Sequence, residues 1–251
     1  MLKKICFILM LLLCSTWVLA EKFTVAAASD LRYALDDVIA EFRQTHPDAE
    51  FEVIYGSSGK MTTQIINGAP YDLFFSADIS FPEKLRKEGF AVTEPAVYAI
   101  GRIVLWSSVY DASKLTLADL TDNKFRRIAI AQPSHAPYGL RAQEAMQAAG
   151  VWQKIQPKLV FGENIAHTAQ MAQSGAADIA VIALSLARFP ELAQHDYYLI
   201  AEDQHQPLTQ GYVVTRHGAG KQAVLQFARF METEVAHRIM EQYGFVMPAK
   251  N

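Results

Sequence analysis

Short runs of apolar residues alternate along the chain with longer runs in which apolar residues recur at helical spacing. In the first half, the predicted strands are residues 23–27, 51–55 and 71–76, and the predicted helices are residues 30–43, 59–67 and 81–88. Within 30–43 the apolar residues lie three or four positions apart, which is typical of a helix with one buried face. Regular alternation of strand and helix favours an α/β fold with a parallel, doubly wound sheet.

A second series of strands and helices begins after residue 100. Its predicted strands are residues 102–106, 127–130, 158–161, 179–184 and 211–215, and its predicted helices are 140–149, 165–173 and one or two over 222–243. No Pro/Gly/Ser-rich linker separates the two series, so we predict two closely connected lobes. Residues 21–99 and 209–251 are expected to form lobe one, with the C-terminal helices packed against it, and residues 100–208 to form lobe two.

The first twenty residues have the pattern of a secretory signal peptide. Lys3 and Lys4 precede an apolar run over 5–13, and Ala20 stands where signal peptidase requires a small residue. The run is too short for a comfortable membrane span. We therefore predict that residues 1–20 are cleaved on export and that the protein works in the periplasm.

Composition and charge exclude several functions. Both cysteines, Cys6 and Cys14, lie in the predicted signal, so the mature chain is expected to have no disulfide and no cysteine nucleophile. Acidic residues number 26 against 23 Lys and Arg, which gives a formal net charge of −3. An acidic surface repels nucleic acid and anionic membranes. An anionic ligand would therefore have to be held by local hydrogen-bond donors.

Four predicted strand-to-helix junctions carry small, polar or turn-forming residues. They are Ala28-Ser29-Asp30, Gly56-Ser57-Ser58-Gly59, Pro137-Tyr138-Gly139 and Glu163-Asn164-Ile165. The first turn of a helix has N–H groups without intrahelical partners, and the helix dipole adds partial positive charge. Such an end binds anions without Lys or Arg. A single serine at a junction is more often a helix cap, but two junctions in each lobe favour an anion site in a cleft.

A secreted serine hydrolase is the alternative from another functional class. It would use Ser29 or Ser58 as the nucleophile and needs a histidine within hydrogen-bonding distance. No sequence motif supplies one, and His135 is interpreted as a surface-loop residue. A transcription regulator is disfavoured by the signal peptide and by the lack of a helix-turn-helix. We therefore predict a protein that is not an enzyme and has no catalytic residue.

Several segments resemble the periplasmic molybdate-binding proteins, the substrate-binding components of molybdate/tungstate ABC importers. The segments are FTVAAASDLRYAL, GSSGKMTTQIINGAPYDLFFSAD, PSHAPYGLRAQEAM and HRIMEQYGF. The resemblance implies a type II periplasmic-binding-protein fold, with two doubly wound lobes and a ligand cleft between them. It also implies a monomer that captures molybdate or tungstate and delivers it to a membrane permease and its ATPase. Another tetrahedral oxyanion, such as sulfate, stays open as the ligand.

The resemblance further implies which residues bind the oxyanion. By position, Ser29 and Ser58 match serines that donate through hydroxyl and backbone N–H, and Tyr138 and Ile165 match residues that donate a backbone N–H. These donors would hold oxygen atoms, so the molybdenum would have no direct protein ligand and no cofactor would be needed.

Two positions depart from the pattern that the resemblance implies. Some members have a tyrosine donor at the end of the strand predicted over 179–184, where this chain has Ala183. That donor is expected to be missing or replaced, with the Tyr138 side chain as one replacement. Asp30, next to Ser29, would place a carboxylate close to a dianion, which costs energy unless the carboxylate faces away.

Overall fold

The computed structural model describes residues 22–248, so the predicted signal peptide lies outside the described residues. The strands are β1 (Lys22–Ala28), β2 (Glu50–Gly56), β3 (Leu73–Ser76), β4 (Ala96–Gly101), β5 (Ile103–Trp106), β6 (Ile128–Ala131), β7 (Leu159–Gly162), β8 (Ile179–Ala183), β9 (Tyr197–Leu199) and β10 (Leu208–Val214). The α-helices are α1 (Arg32–Thr45), α2 (Ser58–Ile66), α3 (Ser80–Lys87), α4 (Pro137–Ala148), α5 (Trp152–Ile155), α6 (Ile165–Gln173), α7 (Leu184–Ala187), α8 (Gln222–Phe230) and α9 (Glu234–Gln242). A short 3-10 turn, Ser29–Leu31, precedes α1.

The strands form two mixed five-stranded sheets. The first has the order β2-β1-β3-β10-β4 and the second the order β7-β6-β8-β5-β9. Strand β10 is antiparallel to β3 and β4, and β5 is antiparallel to β8 and β9. The prediction of a parallel sheet is therefore wrong for these strands. Strands β5 and β10 both enter their sheets directly from the other sheet, so no helix packed on the same sheet determines their direction.

The chain passes between the sheets twice. It leaves the first sheet after β4, with Arg102 alone separating β4 from β5, and it returns between β9 and β10. Each sheet with its helices is one lobe, and the first lobe contains strands from both halves of the chain. The lobe boundaries at 99/100 and 208/209 stay predictions.

Both faces of the first sheet are buried. On one face Phe23 and Val25 of β1 join a cluster with residues of α1, α8 and α9, and on the other Phe74 of β3 packs with residues of α2 and α3. Met240 of α9 lies in the cluster of the first face, so the predicted packing of the C-terminal helices on lobe one is confirmed. In the second lobe, β6 and β8 are completely buried between helices, as parallel strands covered on both faces are. Among the described residues, no helix is long and apolar enough to cross a bilayer.

Candidate functional site

A small cavity lies between the lobes, at the point where the four predicted junctions meet. The four predicted ligand residues, Ser29, Ser58, Tyr138 and Ile165, all line it, and so does Asp30. The two serines come from lobe one, and Tyr138 and Ile165 come from lobe two. Residues up to 136 positions apart in sequence thus line one cavity.

Three helices begin at this cavity. Ser58 is the first residue of α2, Ile165 is the first residue of α6, and Tyr138 follows Pro137 in the first turn of α4. Proline suits that first position because it has no N–H and its φ is already helical. No acceptor for the backbone N–H of Ser58, Tyr138 or Ile165 is found within residues 22–248. Three backbone donors, each at the positive end of a helix dipole, therefore surround the cavity.

The Ser58 side chain is positioned to donate into the cavity. The residue is completely buried, and its Oγ accepts a hydrogen bond of 3.0 Å from the backbone N–H of Ala77. Because the oxygen is already used as an acceptor, the hydroxyl proton is left for another partner. Ala77 follows β3 and was not predicted as part of the site.

The Ser29 side chain connects the lobes instead. Its Oγ donates to Oδ1 of Asn164 at 3.1 Å and accepts from the N–H of Ala166 at 3.2 Å. Asn164 Oδ1 also caps α6 by accepting from the N–H of His167 at 2.9 Å, which fixes the orientation of the amide. The Ser29 hydroxyl can therefore donate to a ligand only after it has released Asn164.

Asp30 and Tyr138 form the centre of a buried polar network. Oδ2 of Asp30 accepts from the hydroxyl of Tyr138 at 2.9 Å and from Nε2 of Gln210 at 2.8 Å. Tyr98 donates to the other end of the Gln210 amide. Burial raises the pKa of Asp30 to about 6, although the bonds from Gln210 and Tyr138 lower it in part. In this arrangement the Tyr138 hydroxyl serves Asp30 and does not replace the donor absent at Ala183.

The lobes touch around the cavity. The N–H of Gly59 donates to the carbonyl of His135 at 3.0 Å, and a Cβ at Gly59 would lie 2.8 Å from that oxygen. Lys60 pairs with Glu163 at 3.0 Å, although both side chains are about half exposed. The glycine at position 59 thus permits a close approach of two backbones that a side chain would prevent.

A serine and a histidine do meet in the cleft, but the serine is neither Ser29 nor Ser58, the two candidates for a hydrolase nucleophile. Oγ of Ser57 lies 2.9 Å from Nδ1 of His135, which places His135 in the interlobe contact and not on a free surface loop. Burial, together with the nearby charge of Lys60, lowers the pKa of His135. No carboxylate of the described residues hydrogen-bonds to the His135 ring, so it lacks the orienting group of a hydrolase triad.

A larger depression lies beside α6 and is lined by Arg32, Tyr33 and His167 among others. It contains none of the four predicted ligand residues, and its walls are mainly helix sides. We assign the site to the smaller cavity because the helix beginnings converge there.

Two mixed α/β lobes with a cavity between them, at which three helices begin, define a two-lobed binding protein with the type II periplasmic-binding-protein fold. The chain belongs to the family of bacterial extracellular solute-binding proteins, whose profile matches residues 23–246. A relative in Rhodobacter capsulatus, the molybdate-binding protein ModA, is 36% identical over 197 residues, which cover 76% of this chain and 75% of the relative.

Solved structures give the same fold. The periplasmic molybdate-binding protein of Azotobacter vinelandii superposes with a TM-score of 0.83 at 32% identity, over 90% of this chain and 99% of that one. The sulfate-binding protein SubI of Mycobacterium tuberculosis has a TM-score of 0.77 at 14% identity, over 91% of this chain and 87% of that one. At that identity the second likeness concerns the fold alone. The predicted family and fold class are confirmed.

Proposed function

We propose that this protein captures molybdate in the interlobe cavity and delivers it to an ABC importer. The observation that carries the proposal is the convergence of the unpaired N–H groups of Ser58, Tyr138 and Ile165 on one small cavity. No Lys, Arg or His lines that cavity in the described part of the chain. The names of the relatives in Rhodobacter and Azotobacter support molybdate as the anion.

The proposed ligand residues are Ser29, Ser58, Tyr138 and Ile165. A hydrogen bond to a charged group contributes about 1.5–3 kcal/mol net. Several such bonds, less the cost of association, are enough for sub-micromolar binding, which corresponds to about −8 kcal/mol or better. Each donor contacts an oxygen of the anion, so the metal itself needs no protein ligand.

The size of the closed cavity is proposed to determine which tetrahedral anions bind. Tungstate is nearly the same size as molybdate and is expected to bind comparably. Sulfate has shorter bonds to oxygen, so it would leave longer hydrogen bonds in a cavity closed to the size of molybdate. Size is therefore proposed as the basis for rejecting sulfate.

Capture is proposed to stabilise the closed arrangement of lobe one (residues 21–99 and 209–251) on lobe two (residues 100–208). The closed form gives a permease with its ATPase a shape to recognise. We further propose a monomer that is exported to the periplasm by a cleavable signal over residues 1–20 and has no enzymatic activity.

Isothermal titration of the purified protein with molybdate, tungstate, sulfate and phosphate tests the proposal. Sub-micromolar binding of the first two, together with a rise in melting temperature, is the expected result. Absence of heat and of thermal stabilisation with both would refute it. Much tighter binding of sulfate than of molybdate would mean that sulfate is the ligand of this site.

A hydrolase is favoured by one observation alone, the contact between Ser57 and His135. An esterase and phosphatase screen of the wild type and the Ser57→Ala variant tests it. Turnover that disappears in Ser57→Ala would support the hydrolase, and its absence in the wild type would leave the binding function as proposed.

A further inference from the structure

Asp30 lines the proposed anion cavity and carries a buried carboxylate. Asp30 is only 1% exposed. Oδ2 accepts hydrogen bonds from Tyr138 and Gln210, whereas Oδ1 is buried without a partner. Burial disfavours the ionised carboxylate, and a dianion in the same cavity disfavours it again.

The groups that face Asp30 are all neutral. Tyr138 comes from α4 and Gln210 from β10, and Tyr98 of β4 reaches Asp30 through Gln210. Ser185 of α7 donates to the backbone carbonyl of Asp30 at 2.8 Å. No ion pair with a Lys, Arg or His is formed by Asp30 within residues 22–248. Nothing in its surroundings therefore neutralises the carboxylate when an anion enters.

Burial places the pKa of Asp30 at about 6 in the empty cavity. At neutral pH most unliganded molecules therefore carry the ionised carboxylate. A doubly charged anion beside it would raise the pKa further, because like charges disfavour ionisation. The Coulombic cost is removed if one proton is taken from solvent as the ligand binds.

We propose that oxyanion binding is coupled to the uptake of one proton by Asp30, and that the proton resides on Oδ1. The inference rests on the proposed function of the cavity. Oδ2 already receives two hydrogen bonds, so Oδ1 is the oxygen free to accept the proton. The proton comes from water or buffer, and it returns there when the ligand leaves.

Protonation would also change the chemistry of the cavity wall. The acid O–H on Oδ1 is a donor where the carboxylate offered an acceptor. It would add one donor to a chain that has Ala183 where some members of the family have a tyrosine donor. Asp30 thereby becomes a specificity-determining residue: molybdate, tungstate and sulfate carry no proton at neutral pH and require the protonated acid. Hydrogen phosphate brings its own proton, which it can donate to the ionised form.

Proton uptake is measured by titrating molybdate into the full-length mature protein in PIPES and in imidazole at about pH 7. The observed enthalpy depends linearly on the ionisation enthalpy of the buffer, and the slope is the number of protons taken up. We expect between about 0.5 and 1 proton for the wild type. From about pH 7 to pH 8.5 the affinity should fall about tenfold per pH unit.

Asp30→Asn replaces the titrating carboxyl group with a neutral amide of the same shape. The slope of the enthalpy against the buffer ionisation enthalpy should then be close to zero, and the affinity for molybdate should be independent of pH. Asp48→Asn is the matched control, because Asp48 is exposed and precedes β2, at the opposite strand end from the cavity. It should keep the proton uptake of the wild type. Should Asp30→Asn fail to fold, Tyr138→Phe serves in its place. Loss of that hydrogen bond raises the pKa of Asp30, so uptake should be smaller than in the wild type at about pH 7 and return at about pH 8.5.

A slope of zero in the wild type, or an unchanged slope in Asp30→Asn, would overturn the coupling while leaving molybdate binding intact. Failure of the wild type to bind molybdate at any pH is a different result: it would overturn the proposed function and this inference with it.

Discussion

The backbone N–H of Ala77 donates a hydrogen bond of 3.0 Å to Oγ of Ser58, at the wall of the interlobe cavity. This bond fixes the oxygen of the hydroxyl and leaves its proton for a ligand. Ser58 is thus also the hydrogen-bond acceptor for the N–H of Ala77, in the loop that follows β3. Binding and stability therefore depend on the same side chain.

Ser58→Ala should weaken molybdate binding and lower the stability of the fold. Loss of one charge-assisted bond of about 1.5–3 kcal/mol raises the dissociation constant for molybdate about 10- to 150-fold. The unsatisfied N–H of Ala77 lowers the free energy of unfolding by about 1–3 kcal/mol. Titration calorimetry and urea denaturation measure the two effects, with the exposed Ser134→Ala as control. An unchanged affinity would remove Ser58 from the ligand set.

Local patterns predicted the junctions because each consists of consecutive residues. Gly56-Ser57-Ser58-Gly59 combines flexibility and hydroxyls between a strand and a helix, and the structure places it at the cavity. The convergence of four junctions followed from one rule, that ligands bind at the carboxyl ends of strands. The structure brings the predicted residues together, whereas their contacts with an anion stay a prediction.

Long-range polar contacts could not be predicted from the sequence. Asp30 and Gln210 are 180 positions apart, and nothing in the sequence around Gln210 distinguishes it from a solvent-facing strand residue. Gly101 is connected with this contact, since a Cβ there would collide with Tyr138 and Gln210, but the sequence does not show why that position is a glycine. Strand β9 escaped prediction for a different reason: it has three residues, too few to establish a period.

Gly59→Ala should impair closure of the lobes. The added Cβ would lie 2.8 Å from the His135 carbonyl oxygen, so the closed form has to open slightly or distort. A closed state that is less populated binds more weakly, and a penalty of about 1.4 kcal/mol corresponds to a tenfold loss of affinity. Small-angle scattering should show less compaction on adding molybdate than the wild type shows. Wild-type compaction and affinity would contradict this role for Gly59.

Glu163→Gln should have only a small effect, although it breaks the ion pair between the lobes. The side chains of Lys60 and Glu163 are 47% and 60% exposed, and exposed pairs contribute about 0–1 kcal/mol. The dissociation constant for molybdate should therefore rise no more than about fivefold at physiological salt. A loss of a hundredfold or more would mean that this pair, and not the anion, holds the lobes closed.

Asp72→Ala should destabilise lobe one without affecting the ligand site directly. Asp72 is 1% exposed, and it accepts hydrogen bonds from the N–H of Thr24 at 2.8 Å and from Nζ of Lys221 at 2.9 Å. Breaking a buried charge pair on one side costs about 3–5 kcal/mol. Because Lys221 is partly exposed, we expect about 3 kcal/mol in urea denaturation. Lys221→Met, which leaves Asp72 bonded to the N–H of Thr24 and to Nδ1 of His217, should cost less, and an equal cost would contradict the assignment.

The raised pKa of Asp30 predicts that the empty protein loses stability as the pH rises. Folding raises this pKa from 3.8 to about 6, so the folded state binds the proton more tightly than the unfolded state. The contribution of this pKa shift to the free energy of unfolding is fully present below pH 3.8 and is lost as the pH rises through about 6. Its size is about 3 kcal/mol, since each pKa unit corresponds to 1.36 kcal/mol. Asp30→Asn does not titrate, so its unfolding free energy relative to the wild type should increase by up to about that amount between about pH 4 and pH 7. Urea denaturation of both proteins without ligand measures the difference, and a difference that stays constant with pH would mean that Asp30 is ionised as readily in the fold as in the unfolded chain.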